Sequence, residues 1–143
     1  VLTRQGEAQW MSFKLGKGSK DAAVQTWAKL APEGADANTV QALAEIYRSR
    51  ELTEEALQAY RRALDLDPAA ADRRERLADF LLTLDRREEA ESVLAGMVEG
   101  DRANGENFLR LAKIQRRMGN TAAARESLVA AKALPERAFD RTY

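Results

Sequence analysis

Apolar and small residues recur along this chain at steps of three and four, in short runs separated by polar breaks, which is the spacing of one buried face on a helix. Val40, Leu43, Ala44 and Tyr47 fall on one face of a first helix. Ala56, Tyr60 and Ala63 fall on one face of a second, and Pro68 closes the unit. The pattern then repeats every 34 residues: Leu43 returns as Leu77 and Leu111, Ala44 as Ala78 and Ala112, and Ala56 as Ala90 and Ala124. Tyr60 returns as Leu94 and Leu128, and Ala63 as Met97 and Ala131. The periodicity predicts first helices over 38–50, 72–84 and 105–118, and second helices over 54–66, 86–99 and 121–133. A pair of short antiparallel helices cannot bury its apolar stripes alone and needs the next pair beside it. Small residues suit close crossings, here Ala44, Ala56, Ala78, Ala90, Ala112 and Ala124. Large ones fill the remaining space, here Tyr47, Tyr60, Phe80, Leu81, Leu94 and Phe108.

Thr53, Asp85 and Asn120 stand where helix N-caps belong, and Asp85 with Glu88 has the spacing of a capping box. Gly119 breaks the last hairpin at its turn. Three departures predict looser packing: Arg74 for an apolar residue, Gln115 for a large one, and Arg102 where Pro68 would recur. Pro135 comes one residue early. Residues 1–36 read as a degenerate hairpin or N-terminal cap. Ala8, Met11 and Leu15 share a face there, with Trp10 and Phe13 beside it; Gly16 and Gly18 break the helix and Ser19 caps the next. Ala23, Trp27 and Leu30 match Ala56, Tyr60 and Ala63 at a spacing of 33, while the first helix fits at 32 or 33. Pro32, Gly34 and Asp36 form the turn into the main array. Residues 136–143, with Ala138, Phe139 and Tyr143 at helical spacing, read as a cap or the start of a further repeat.

Composition narrows the function. Charged residues make up 32% of the 143, yet 23 Lys and Arg balance 23 Asp and Glu, which argues against a general polyanion binder. With no Cys and no His, thiol chemistry, disulfides and His or Cys metal clusters are excluded, and no Gly-rich phosphate loop is present. Neither cofactor nor metal is expected, and no enzymatic role. No run of 18 apolar residues occurs, so membrane insertion is not expected of these residues. The acid pairs Glu54–Glu55 and Glu88–Glu89 sit at helix starts, where the helix dipole favours them. The arginine pairs Arg61–Arg62, Arg73–Arg74, Arg86–Arg87 and Arg116–Arg117 have acids such as Glu75 or Glu88 nearby, so they read as paired, solvated helix faces rather than an RNA surface. The chain begins at Val1 and not at Met, which suggests a piece of something longer or a processed product. The absence of a signal peptide therefore leaves localisation open, with bacterial cytoplasm and periplasm both compatible.

The order of an apolar residue, L-small-x-x-Y, A-x-x-x-[FY] and P over residues 37–68 resembles a tetratricopeptide repeat. The resemblance implies an all-α, right-handed superhelical solenoid with three repeats, 37–70, 71–104 and 105–135. It also implies a protein-interaction scaffold whose first helices line a concave groove for a peptide or helix of another protein. On that basis the groove side chains are Asn38, Gln41, Glu45 and Arg48, then Asp72, Glu75, Arg76 and Asp79, then Glu106, Arg110, Lys113 and Arg117. The family's carboxylate-clamp members use Lys and Asn where Gln41 and Glu45 stand, and Asn and Lys where Arg76 and Glu106 stand; Arg110 alone fits, so a clamp for an acidic C-terminus is not expected.

Asp72, Glu75 and Asp79 make one stretch of this groove acidic, and Arg110, Lys113 and Arg117 make the next basic. The charges suggest a ligand with its basic part near Asp79 and its acidic part near Lys113; the competing reading pairs them across adjacent helices, for example Asp79 with Lys113. Two other functional classes stand beside the scaffold reading. One is a structural segment of a longer solenoid, as in bacterial secretion or polysaccharide-export systems. The other is a regulatory domain of a larger enzyme. An uncovered outer face of 121–133, with Leu128 on it, would make self-association through the terminal hairpins a further expectation.

Overall fold

The computed structural model describes residues 1–99 and 104–133. Those residues form α-helices joined by short turns, with no strand among them, as the sequence predicts. In order these are α1 (Leu2–Lys14), α2 (Lys20–Ala28), α3 (Ala37–Ser49), α4 (Thr53–Leu66), α5 (Ala71–Thr83), α6 (Arg87–Ala95), α7 (Gly105–Arg117) and α8 (Thr121–Ala133). The chain divides into two compact units, Val1–Asp67 and Pro68–Tyr143. The readings placed on Arg102, Pro135 and residues 136–143 lie outside the described residues.

In the first unit α1 packs on α2, α2 on α3, and α3 on α4. Its core holds Trp10, Ala23, Trp27, Val40, Leu43, Ala44, Tyr47, Ala56, Tyr60 and Ala63. Aromatic rings tie the helices together: Trp10 and Trp27 have centroids 6.2 Å apart, and Trp27 meets Tyr47 edge-on at 6.4 Å. Their polar ends are satisfied, Trp27 Nε1 donating to Thr3 O at 3.4 Å and the Tyr47 hydroxyl to Val24 O at 3.2 Å.

The buried face of α1 differs from the one expected. Gly6 and Trp10 are buried, 34 residues before Val40 and Ala44, whereas Ala8 is exposed and Met11 and Leu15 are 56% and 68% exposed. The cause is a close crossing. A Cβ on Gly6 would lie 2.1 Å from Trp27 Nε1, so only glycine lets α1 come down on the indole. A longer turn accounts for the 33-residue spacing of α2. Gly16 takes a left-handed φ of 76°, and Lys17 and Gly18 follow before Ser19 caps α2 by accepting from Asp21 N at 3.1 Å.

In the second unit α5 packs on α6 and α7, and α7 on α8. Leu77, Ala78, Phe80, Leu81, Ala90, Leu94, Met97, Leu111, Ala112, Ile114 and Ala124 form its core; Phe108 is only half-buried. The second helix expected over 86–99 ends at Ala95 and continues as a 3-10 turn, Gly96–Val98. Gly96 lies under the Arg74 guanidinium, where a Cβ would come 2.3 Å from Nη1. Arg74 thus fills its apolar position with its stem and donates to Val93 O at 3.4 Å and Pro68 O at 3.3 Å. The other departure is compensated as well, because Gln115 Oε1 accepts from the buried Ser127 hydroxyl at 2.7 Å.

The hairpin turns obey the same 34-residue period as the core. Glu51, Asp85 and Gly119 all have positive φ, at 59°, 59° and 79°. The next amide in each case, Leu52, Arg86 and Asn120, donates five residues back, to Tyr47, Leu81 and Gln115, at 2.9 Å. This is a Schellman closure with the left-handed residue just past the helix end. It displaces two expected caps. Asp85 is the left-handed residue and not an N-cap, so no Asp85–Glu88 box forms, and Thr53 is already inside α4. At α6 the N-cap residue Arg86 instead bonds Glu89 through its side chain at 2.7 Å. Asn120 caps as predicted, accepting from Ala123 N at 3.3 Å. Non-glycine residues lose energy in the left-handed region, so Glu51→Gly should raise unfolding stability by about 0.5–1 kcal/mol after the extra chain entropy of glycine is offset. Gly119→Ala should lower it by about 1 kcal/mol for the same reason. Urea unfolding of both variants checks this, and a destabilised Glu51→Gly would refute it.

Candidate functional site

The residues singled out on the first helices sit where the helical period puts them, between the core positions. On α3, Asn38 is exposed and Gln41, Glu45 and Arg48 are half-buried. Glu45 and Arg48 neighbour the Tyr60 hydroxyl of α4, whose pKa is pushed up to about 12, mainly by burial. On α5, Asp72 and Arg76 are exposed while Glu75 and Asp79 are half-buried. On α7, Glu106, Lys113 and Arg117 are exposed and Arg110 is half-buried.

Within the second unit the structure pairs the α5 and α7 charges with each other. Arg110 Nη1 meets Glu75 Oε2 at 2.9 Å and Arg110 Nη2 meets Glu106 Oε1 at 3.0 Å. Those carboxylates, Glu106 foremost and then Glu75, raise the proton affinity of the guanidinium further. Arg117 Nη2 meets Asp79 Oδ1 at 2.7 Å, so the cross-helix partner of Asp79 is Arg117 and not Lys113. The planar guanidinium of Arg117 reaches a carboxylate one helix away, whereas Lys113 is exposed. Pairs this exposed contribute about 0–1 kcal/mol each.

An open concavity of about 400 Å³ lies between the starts of α5 and α7, lined by Ala69, Ala71, Asp72, Asn104, Glu106, Asn107 and Arg110. Its floor is built by capping. Asn104 Oδ1 accepts from Asn107 N at 2.8 Å, and the buried Asn107 amide donates to Met97 O at 3.1 Å. Among the described residues no group of three or more acidic side chains is arranged to hold a metal, and no helix is long and apolar enough to cross a membrane.

The period also exposes residues that the sequence reading passed over. Counting 34 on from Gln41 and Glu75 gives Leu109, which is 53% exposed on α7. Counting on from Arg48 gives Leu82 and Arg116, half-buried and exposed. Strict use of the repeat places Leu109 and Arg116 in line with Gln41 and Arg48; Arg110 and Arg117, one residue further on, turn toward α5.

Comparison with known proteins agrees with this architecture. Residues 48–106 match the tetratricopeptide repeat family. A crystal structure of MamA superposes with a TM-score of 0.56 at 14% identity, over 91% of this chain and 74% of that one. MamA AMB-1 gives 0.53 at 18% identity, and MamA MSR-1 gives 0.52 at 17%; each covers 99% of this chain and 77% of its own. No curated protein matches the sequence. At such identities the structural likeness speaks for the fold alone. The matched segment, the 34-residue period of core and turns, and the superposed structures agree: residues 48–106 match the tetratricopeptide repeat family, and the described residues have an all-helical repeat fold.

Proposed function

We propose that the chain is a protein-interaction scaffold that takes a peptide or helix of a partner protein on the polar faces of its first helices. The observation that supports this most is the division of α5 and α7 into two faces. Leu77, Leu81, Leu111 and Ile114 are buried, while Asp72, Arg76, Lys113 and Arg117 stand exposed, and Asp72, Glu106 and Arg110 line an open concavity between the starts of the two helices. Repeat arrays commonly use such surfaces for recognition. In this reading residues 37–135 are three repeats of the interaction module, residues 1–36 cap it, and residues 136–143 cap it or open a further repeat. The α3 residues Asn38, Gln41, Glu45 and Arg48 belong to the same class of surface. The role is binding, not catalysis.

A second reading, a segment of a longer helical stack, draws support from apolar side chains left in solvent. Leu128 and Val129 on α8 are 43% and 67% exposed, and Met11 on α1 and Leu15 just past its end are more than half exposed. The test of the scaffold reading is a random-peptide display selection against the whole chain, followed by chemical-shift mapping of the selected peptides. The expected result is a peptide consensus whose binding perturbs amides of α5 and α7. Failure to select any consensus, or shifts confined to α1 and α8, would turn the assignment toward the stack reading, which light scattering would show as concentration-dependent growth.

A further inference from the structure

We infer that the exposed stripe of α7 formed by Leu109, Lys113 and Arg116 receives an acidic segment of the partner protein that carries an apolar anchor residue. This deepens the scaffold reading above and rests on it. Leu109, Lys113 and Arg116 stand at i, i+4 and i+7, so they line one strip of the helix surface. All three are exposed, Leu109 by 53%. The same repeat positions on α5 hold Glu75, Asp79 and Leu82, and on α3 Gln41, Glu45 and Arg48. The combination of an apolar residue with two cations therefore belongs to α7 among these helices.

The ion pairs decide the sign of the ligand. The charges of Arg110 and Arg117 are countered by Glu75, Glu106 and Asp79. Among the described residues neither Lys113 nor Arg116 has an acidic partner, so the uncancelled charge on this strip is positive. The basic ligand half expected beside Asp79 loses its motive, because Arg117 already occupies that carboxylate at 2.7 Å. An acidic segment remains as the complement, and its charge would govern orientation and association rate. Leu109 offers an apolar contact of the kind that anchors an interface. Nucleic acid fits less well. A phosphate backbone gains nothing from the apolar Leu109. The balanced charge of the chain gives no wider field to draw it in.

The test uses the whole chain and fluorescein-labelled synthetic peptides in anisotropy titrations. The probe is a peptide with one leucine followed, one helical turn apart, by two glutamates. Its controls are a twin with lysine for each glutamate, a twin with serine for leucine, and a thymidine oligonucleotide. The acidic peptide should bind at least about tenfold tighter than the lysine twin and the oligonucleotide, and weaken as salt is raised. Leu109→Ser should weaken it about fivefold, and Lys113→Glu with Arg116→Glu at least tenfold. Arg125→Glu, an exposed change on α8, should leave it unaltered, and none of these variants should shift the melting temperature. Equal binding of the lysine twin, undiminished binding by the double variant, or tighter binding of the oligonucleotide would overturn the inference. If the display selection yields peptides that map to α5 and α7 but carry no acidic bias, this inference falls while the scaffold reading stands; if it yields none, both fall.

Discussion

Leu77→Asp should abolish the cooperative unfolding transition of α5 to α8. Leu77 is 1% exposed, on the face of α5 that meets its neighbours, and it is the middle member of the Leu43, Leu77, Leu111 series. Truncation alone at such a site costs about 2–5 kcal/mol, so Leu77→Ala should lose that much. The aspartate places a carboxylate at a core position, and desolvating it costs several kcal/mol more. A small domain has only about 5–15 kcal/mol of net stability. The variant should therefore show a sloping thermal melt, and native-state hydrogen exchange should lose protection across α5, α6, α7 and α8 together. Raising the pH should deepen the defect, because the ionised side chain is the costlier one to bury. A variant within about 1 kcal/mol of the parent chain would mean that Leu77 is not at the centre of this core.

The period of 34 was legible because it is written twice, once in the apolar residues and once in the turns. Ala44, Ala78 and Ala112 could be lined up from side-chain size alone, and all three are buried. The turn series Glu51, Asp85 and Gly119 was harder to see, since residue type conceals it. Only glycine advertises a positive φ, and here two acidic residues adopt one because the Schellman bonds to Tyr47 and Leu81 hold the chain there. For the same reason Asp85 looked like a cap: a short acid before a helix is the usual N-cap, and nothing local distinguishes it from a left-handed residue. In the first hairpin the apolar pattern misled. Met11 and Leu15 are more hydrophobic than Gly6, but the helix crossing is set by the one position without a Cβ.

Charge was legible in composition and not in geometry. Among the groove candidates the sequence sets Asp72, Glu75 and Asp79 against Arg76 on α5, and Arg110, Lys113 and Arg117 against Glu106 on α7. Whether such charges face a ligand or each other depends on side-chain reach across two helices. The guanidiniums of Arg110 and Arg117 span it to Glu75 and Asp79. What stays available, Leu109 with Lys113 and Arg116, follows only once those pairs are known. The face a partner would meet is thus the remainder after the fold has used its own charges.

Gly6→Val should disrupt the first hairpin while leaving its sequence pattern more hydrophobic and nominally more buried. On α1 a Cβ at this position would lie 2.1 Å from Trp27 Nε1 and 2.5 Å from Cδ1 and Cε2, well inside contact distance. The ring has little room to move. Trp27 is fully buried between Trp10 and Tyr47, and its Nε1 donates to Thr3 O on the same helix that carries Gly6. Helix propensity favours almost any residue over glycine, by about 0.5–1 kcal/mol, and that gain would be all that a sequence-based view records. Overpacking costs about 1–3 kcal/mol, and here it also breaks the indole hydrogen bond and separates α1 from α2. The net loss should be about 2–3 kcal/mol, with Gly6→Ala intermediate. Both tryptophans of the chain, Trp10 and Trp27, lie in this hairpin, so their fluorescence reports it directly. Emission should shift to longer wavelength in Gly6→Val. Shrinking the ring in Gly6→Val with Trp27→Phe should recover part of the stability, giving a coupling energy of about 1 kcal/mol in a double-mutant cycle. An additive cycle would show that the two residues do not meet, and that glycine at this position serves some purpose other than the crossing of α1 over Trp27.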